Sequence, residues 1–363
     1  MTQPSRNSPR KGRRRRFIPW RWLLLGSSAF AVWSVWSALN PQAERALRTQ
    51  VHERLGTWFP EQMAPSALEL GFVESETTTA ASGPVEVVLV HGLDEPGGIW
   101  SELQQALDRE GIRHVEFRYP NDQGIDASAD SMARHWAELD SRQPVFLVGH
   151  SMGGLVIRDF VSRHRHPENG PSALDGPAVG GVILIATPNH GSEWARLRAW
   201  LEIREFAADL PSRRFSLFAA LRDGTGAAKI DLTPGSEYLR ELNTRSWPEH
   251  VPVRIIGGRL TEPTEQMKSS LTGLSSELGL PELERSISGL WQSAGESIGD
   301  GAVAVDSLRL HYAPDPLILE ASHRGLIASM PWSDAPPPAI EPVIGYLEDW
   351  RRNLQQESRR HDR

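Results

Sequence analysis

The chain lacks cysteine, shows no internal repeat, and has no histidine cluster at metal-coordinating spacing. The absence of cysteine excludes a disulfide framework. It fits an exported protein that needs no disulfides, although many other proteins share it. The absence of a repeat excludes a solenoid or propeller built from tandem units. Without a histidine or cysteine cluster there is no support for a metal site, and we expect neither a metal nor another cofactor.

Charge is unevenly distributed along the chain. The net charge is −7, yet seven basic residues crowd the first 16 positions. A basic head could suggest nucleic acid, but Phe17 to Leu39 is apolar apart from Arg21 and a few small polar residues, and is long enough for one membrane-spanning helix. Tryptophans lie near both ends of this segment, as expected at the two membrane interfaces: Trp20, Trp22, Trp33 and Trp36. We therefore expect a membrane partner and no nucleic acid.

The arginines before this span predict an N-terminus in the cytoplasm and a body in the periplasm or the extracellular space. A cleaved secretory signal is one alternative, although a cleavage site of small residues before Asn40-Pro41 is hard to find. A twin-arginine export signal is another, because Arg14-Arg15-Arg16-Phe17-Ile18 fits that pattern. All three alternatives export the body, and the length and aromatic ends of the segment favour an uncleaved single-pass anchor.

Four segments follow from the composition. Residues 1–40 form the basic head with its anchor or export signal, and residues 41–84 a juxtamembrane helix and a linker rich in Thr, Ala, Ser and Gly. Residues 85–356 form one domain, and residues 357–363 a polar tail. Within that domain strands alternate with helices of ten or more residues, which predicts an α/β fold with a mostly parallel sheet and helices on both faces. The predicted strands are Val85–Val90, Val115–Tyr119, Val145–Val148, Gly180–Ala186, Val251–Ile256 and one beginning near Pro316.

One insertion, about residues 192–245, carries more apolar surface than a crossover between strands needs. We predict a helix from Trp194 to Arg222 and interpret the insertion as a helical cap over the site. A plain helix covering the sheet is the alternative.

The stretch Val145–Gly154 organises the domain. It predicts a buried strand, a tight turn and a helix from about Met152 into Phe160, with Ser151 at the tip of the turn. Gly149 lies two residues before the serine and Gly153 two residues after it, as a strained strand-to-helix turn requires. This is the G-x-S-x-G arrangement of a nucleophile elbow, which also aims the free N–H groups of a helix N-terminus at the reaction centre. A second copy of the pattern around Ser297 lacks the strand before it and the helix after it, so context favours Ser151.

Several motifs together resemble the α/β-hydrolase lipases and esterases, most closely the bacterial triacylglycerol lipase and GPI inositol-deacylase-like (PGAP-type) branch. The resemblance covers about Val85 to Leu326 and rests on four stretches: His91-Gly92-Leu93, Gly149–Gly154, Ala186–Ser192 and Leu232–Asn243. It implies an α/β-hydrolase fold. It also implies an oxyanion hole formed by the backbone N–H groups of Leu93 and Met152. Many bacterial lipases place a calcium-binding aspartate just after the histidine, but Arg324-Gly325 stands there, so the resemblance gives no support for calcium.

The base and the acid must follow Ser151, because a triad in this fold runs Ser, then Asp or Glu, then His. Most other downstream histidines lie too early, beside the serine, in polar runs, before a strand or, for His311, within one: His150, His164, His166, His190, His250 and His311. His323 lies in the loop after a late strand, where this fold carries its base. Asp300 is our predicted acid, because Gly299–Asp306 resembles the aspartate loop of these lipases. Glu262 is the alternative acid, and Asp306 is better explained as a turn or cap residue.

The sequence therefore predicts a serine-dependent carboxylic ester hydrolase of the lipase or esterase type, acting on an ester or lipid through Ser151, Asp300 and His323 and an acyl-enzyme. An acyltransferase or thioesterase would use the same residues. A catalytically silent, membrane-tethered binding module of the same fold is the alternative outside enzymes, and the complete order of the triad argues against it.

Overall fold

The computed structural model of the chain describes residues 32, 35–37, 39–58, 70–74, 83–93, 98–120, 123–139, 143–192, 226–260, 299–330 and 336–361. The chain divides into two compact units, Met1–Ala46 and Leu47–Arg363, and the sheet belongs to the second. Its strands are β1 Gly71–Glu74, β2 Val87–Val90, β3 His114–Arg118, β4 Val145–His150, β5 Val179–Ile185, β6 Val253–Arg259 and β7 Leu317–Glu320. They lie in the order β1-β3-β2-β4-β5-β6-β7.

All neighbouring strands are parallel except β1 and β3, which are antiparallel. The α-helices of the described residues are α1 Pro41–Trp58, α2 Ser101–Arg109, α3 Ile125–His135, α4 Met152–Asp159, α5 Ala227–Asp231, α6 Glu237–Thr244, α7 Val305–Leu308 and α8 Ile340–His361. A 3₁₀ turn, Trp136–Glu138, follows α3, and a π-helical turn, Phe160–Arg165, follows α4. The predicted mostly parallel α/β sheet is confirmed.

Helices cover both faces of the sheet, so that every side chain of a central strand is buried. In β2, Val88 and Val90 point into a core shared with α3 and α4, while Val87 and Leu89 point into a core shared with α2 and α8. All four side chains are completely buried. A strand buried on both faces has a continuous apolar sequence rather than an alternating one, which explains the apolar runs in this sequence.

The C-terminal helix α8 packs closely against the middle of the sheet. The ring of Trp350 lies over Gly181 of β5, where an added Cβ would approach the ring to 2.7 Å. The same ring stacks on Phe146 of β4, with centroids 5.5 Å apart. Helix α8 therefore completes the core that holds the two strands nearest to Ser151.

Strand β1 was not predicted. It pairs with β3 from Gly71↔Arg118 to Glu74↔Val115. The sheet thus includes residues that the sequence had assigned to the juxtamembrane segment and linker. Four residues with only Phe72 and Val73 apolar carry too short a pattern to indicate a strand.

No helix among the described residues is both long and apolar enough to cross a membrane. The predicted span, residues 17–39, falls almost entirely outside those residues. The helix predicted from Trp194 to Arg222 also lies outside them, and the described part of the predicted cap contains α5 and α6. The anchor and the cap stay predictions.

Candidate active site

Ser151 lies at the tip of a sharp turn between β4 and α4. Its backbone has φ 54° and ψ −127°, a conformation that side-chain-bearing residues rarely adopt and that neighbouring contacts must hold. One such contact is the hydrogen bond that the Ser151 N–H donates to the carbonyl of Ile185 in β5, at 2.8 Å. The strand–turn–helix predicted around Ser151 is confirmed.

The glycines beside Ser151 are required by close backbone contacts. A Cβ on Gly153 would lie 2.1 Å from the carbonyl oxygen of Val90, and a Cβ on Gly149 would lie 2.7 Å from the backbone nitrogen of Gly154. Neither neighbour is a flexible side chain, so no rotation could relieve these clashes. The close approach of Gly153 to the end of β2 also brings α4 against the loop that begins at His91.

Ser151, His323 and Asp300 form one row of hydrogen bonds. His323 Nε2 lies 2.9 Å from Ser151 Oγ, and His323 Nδ1 lies 2.8 Å from Asp300 Oδ2. The structure thus brings together the three side chains that the sequence singled out, each from a loop at the carboxyl end of its strand. With Nδ1–H donated to the carboxylate, Nε2 is free to accept the serine proton.

The loop around Asp300 fixes the position of the carboxylate. Oδ1 accepts hydrogen bonds from the N–H groups of Ala302 at 2.9 Å and Val303 at 2.8 Å, which leaves Oδ2 for His323. The His323 N–H also donates to the backbone carbonyl of Asp300, at 2.9 Å. Asp300 is 2% exposed. Because the carboxylate is buried and bound on both oxygens, the imidazole beside it is held in one orientation.

The two predicted oxyanion donors follow neighbouring strands at equivalent positions. Val90 of β2 pairs with Gly149 of β4, and Leu93 and Met152 each follow three residues later. Met152 is the first residue of α4, where a helix has no internal acceptor for its N–H groups. This end of the helix also carries a partial positive charge that favours a developing oxyanion.

Two supporting residues were missed by the sequence reasoning. Tyr119 donates its hydroxyl to the carbonyl of His91 at 2.5 Å, and the two rings stack 4.5 Å apart. His150 donates its Nε2–H to the carbonyl of His323 at 3.1 Å, with ring centroids 4.8 Å apart. The first pair holds the loop that leads to Leu93, and the second holds the backbone at His323.

The competing residues take other places. Asp306 lies in the first turn of α7 with 94% of its side chain exposed, 4.0 Å from Arg309. Glu262 and Ser297 lie outside the described residues. His311 lies in a turn and not within a strand as the sequence had indicated, because the chain turns after Leu310 before β7 begins. In the described part of the chain, no three His, Asp or Glu side chains are grouped so that they could hold a metal ion.

Comparisons with known proteins identify the family of this fold. Residues 87–354 match the model of the alpha/beta hydrolase family. Phospholipase YtpA of Bacillus subtilis is 32% identical over 121 residues, which are 30% of this chain and 46% of that protein. Lipase LipV of Mycobacterium tuberculosis is 31% identical over 127 residues, 30% of this chain and 47% of that protein. The chain thus spans about half the length of the curated relatives it matches.

Among solved structures, the Staphylococcus hyicus lipase superposes with a TM-score of 0.50 at 13% identity, covering 80% of this chain and 99% of that one. At this identity the likeness concerns the fold alone. Because the family match covers most of the chain, and because a strained serine at a strand–helix turn meets a histidine and an aspartate in the expected order, the chain belongs to the alpha/beta hydrolase family.

Proposed function

We propose that this protein is a serine-dependent carboxylic ester hydrolase of the lipase or esterase type. The row of hydrogen bonds from Ser151 through His323 to Asp300, at 2.9 and 2.8 Å, carries the proposal. These distances already lie within the range that proton transfer from the serine to the histidine requires. A binding module that had lost its chemistry would have no reason to keep the strained backbone at Ser151.

The proposed reaction has two halves. Ser151 Oγ attacks the ester carbonyl while its proton passes to His323 Nε2, and the imidazolium is stabilised by Asp300. The N–H groups of Leu93 and Met152 donate to the oxyanion, and His323 returns the proton to the departing alcohol, which leaves an acyl-enzyme on Ser151. Water then attacks the acyl group with His323 as base, which releases the acid and restores the serine.

A lipid or other carboxylic ester is the proposed substrate. The support is that the matching relatives are named a phospholipase and a lipase, and that the predicted cap carries ample apolar surface. An acyltransferase or a thioesterase would use the same three residues, with another acceptor for the acyl group or a thiol as the leaving group.

We also propose that residues 17–39 anchor the protein in a membrane, with the hydrolase domain in the periplasm or outside the cell. The apolar span, the arginines before it and the tryptophans at its ends support this. Together with a lipid substrate, the anchor would hold the enzyme at the surface where its substrate lies.

A fluorophosphonate probe tests the mechanism. We expect the probe to label the wild-type protein on Ser151, as mapped by mass spectrometry, and Ser151→Ala to abolish labelling. Ser297→Ala, which changes the serine of the second G-x-S-x-G pattern, is the matched control and should label like the wild type. An adduct on Ser297, or labelling that survives Ser151→Ala, would contradict the proposal. Release of acid from p-nitrophenyl esters of graded chain length then separates hydrolysis from acyl transfer to an added alcohol.

A further inference from the structure

A cavity lies apart from the proposed catalytic row. It is about 370 Å³ in volume and is bounded by Arg158 of α4, His190, Asn243 of α6 and residues 309–316. Neither Ser151, His323 nor Asp300 lines it. The volume is at the low end of the range of roughly 300–1,000 Å³ that small-molecule sites occupy. The cavity thus has room for a small group beside Arg158.

Arg158 brings a buried positive charge to this cavity. The residue is 1% exposed. Its guanidinium donates Nε–H to Tyr312 Oη at 3.0 Å, Nη1–H to Asn189 Oδ1 at 3.0 Å and Nη2–H to Asn243 Oδ1 at 2.8 Å. All three acceptors are neutral. A guanidinium has five N–H donors, so within the described residues two of them, one on each Nη, have no acceptor.

The nearby carboxylates do not neutralise Arg158. Asp159 is bound by Arg163 at 2.7 Å and Arg245 at 2.5 Å. Asp315, at the rim of the cavity, pairs with Arg309 and has 88% of its side chain exposed. In the part of the chain that the structure describes, no carboxylate forms an ion pair with Arg158. A buried guanidinium in this situation is costly unless an anion joins it.

Tyr312, which contacts Arg158, adds a further donor. Tyr312 Oη accepts from Arg158, so its hydroxyl hydrogen remains to be donated. Burial raises the pKa of Tyr312 even though the Arg158 charge acts to lower it, so the hydroxyl keeps its proton at neutral pH. Asn243 Nδ2 donates to the Asn189 carbonyl and to His190 Nδ1, and His190 Nε2 donates to the Arg309 carbonyl. The donors left unmatched around Arg158 are two of its own N–H groups and the O–H of Tyr312.

We propose that this cavity binds an oxoanion, a phosphate or carboxylate group that is either free or carried by a lipid headgroup, beside the guanidinium of Arg158 and the hydroxyl of Tyr312. A charged guanidinium N–H is a strong donor to such an anion. Tyr312 lies on the Nε side of the guanidinium, so its hydroxyl can donate to the same anion at that edge. The site is separate from the proposed ester hydrolysis, and either can exist without the other.

The walls of the cavity also belong to the loop that carries the proposed acid. Residues 309–316 continue the segment that starts at Asp300, and α7 lies between them. Ser307 of α7 donates its hydroxyl to the Gly191 carbonyl at 2.7 Å and ties this segment to His190. An anion bound to Arg158 and Tyr312 would therefore hold the far end of the acid loop against α4.

Isothermal calorimetry of the full-length protein in neutral detergent tests the site without relying on catalysis. We expect inorganic phosphate to bind saturably with a Kd on the order of 1 mM or tighter. Tyr312→Phe removes the hydroxyl and keeps the ring that stacks on Trp247, 5.1 Å away. Loss of one hydrogen bond to a charged group should weaken binding by about tenfold or more. The matched control Tyr346→Phe, on α8, should bind as the wild type does.

Arg158→Lys keeps the charge but loses the planar guanidinium and its remaining N–H donors, and we expect it to lose most of the binding; circular dichroism shows whether it folds. Should it not fold, Tyr312→Phe still decides the question. Glycerophosphoglycerol, a lipid headgroup without acyl esters, is titrated in parallel. Tighter binding of this molecule assigns the site to lipid headgroups, and tighter binding of phosphate assigns it to a free anion. If neither ligand saturates, or if Tyr312→Phe and Tyr346→Phe bind equally well, the proposal is wrong.

Discussion

Both carboxylate oxygens of Asp300 are in use, one by its own loop and one by His323. Asp300→Asn keeps the size of the side chain and the oxygen that accepts from the N–H groups of its own loop. It also turns an N–H toward His323 Nδ1 and so favours the wrong tautomer of the imidazole. We expect kcat for ester hydrolysis to fall on the order of 10⁴-fold with little change in Tm. Steady-state kinetics with a p-nitrophenyl ester measures kcat, and a thermal melt measures Tm.

Glu262→Gln is the companion variant, because Glu262 was the alternative acid. Its kcat should stay within about a factor of ten of the wild type, the size of a modest electrostatic change. The double variant shows whether either carboxylate replaces the other. If Glu262→Gln loses most of its kcat while Asp300→Asn is nearly normal, Glu262 is the acid. The proposed roles of Ser151 and His323 would then still stand.

Tyr119 holds the proposed oxyanion loop through its hydrogen bond to the His91 carbonyl. Tyr119→Phe keeps the ring stacked on His91 and removes only that bond, so the backbone leading to Leu93 becomes less firmly held. We expect kcat to fall about tenfold while KM changes little, because the oxyanion develops only in the transition state. Stopped-flow measurement of acylation by a p-nitrophenyl ester checks this. An unchanged acylation rate would show that the loop holds its position without Tyr119.

The sequence predicted Ser151 and His323 from their strand context and the chain order of a triad, and Asp300 from the resemblance of its loop to the aspartate loop of the lipases. Tyr119 and His150 could not be predicted in this way. Their partners lie 28 and 173 residues away, and nothing in the local pattern of either residue indicates them. Such pairs depend on which loops meet at the edge of the sheet, which becomes known only once the register of the strands is known.

Among the elements, the helix after Ser151 ends in a π-helical turn, Phe160–Arg165, followed by His166. Burial lowers the pKa of His166, and the neighbouring His250 and Arg165 lower it further, although its bond to the Gly170 carbonyl opposes this. Burial and Arg163 likewise lower the pKa of His164, against the opposing effect of Asp130. Both imidazoles are therefore harder to protonate in the folded protein than in the unfolded chain.

Stability should depend on pH for this reason. The unfolded chain takes up protons at these histidines near pH 6.5 while the folded protein does not, so stability is full above about pH 7 and falls as the pH drops through 6.5. Each histidine adds a slope of up to about 1.4 kcal/mol per pH unit. Urea titrations between pH 7.5 and roughly 5 should show this decline, and His164→Asn with His166→Asn should flatten it. An equally steep decline in the double variant would assign the effect to other groups.

The inner strands were predictable from their apolar runs, since the side chains of β2, β4 and β5 are almost all buried and these strands sit in the middle of the sheet. The edge behaves differently. Strand β1 has four residues, and its place beside β3 comes from antiparallel pairing with a strand about forty residues later. Short edge strands are stabilised by tertiary contacts rather than by the β-propensity of their residues, so they are difficult to predict from the sequence.

For the molecule as a whole, the proposed anchor makes a testable prediction about topology. A C-terminal reporter that works only outside the cytoplasm should be active when fused to the full-length chain, and the protein should sediment with membranes. Replacing the four arginines Arg13 to Arg16 by Gln removes most of the positive charge next to the span. This change should reduce the fraction of the protein with this orientation. Activity of a reporter that works only in the cytoplasm would contradict the proposed orientation.

The separation of 172 residues between Ser151 and His323 has a consequence during synthesis. At the usual speed of translation, roughly 5–20 residues per second, the histidine leaves the ribosome on the order of ten to thirty seconds after the serine. Helix α8, whose Trp350 covers β4 and β5, emerges later still. A nascent or prematurely released chain therefore presents Ser151 without His323, and under the proposed mechanism it cannot attack an ester until His323 has also emerged.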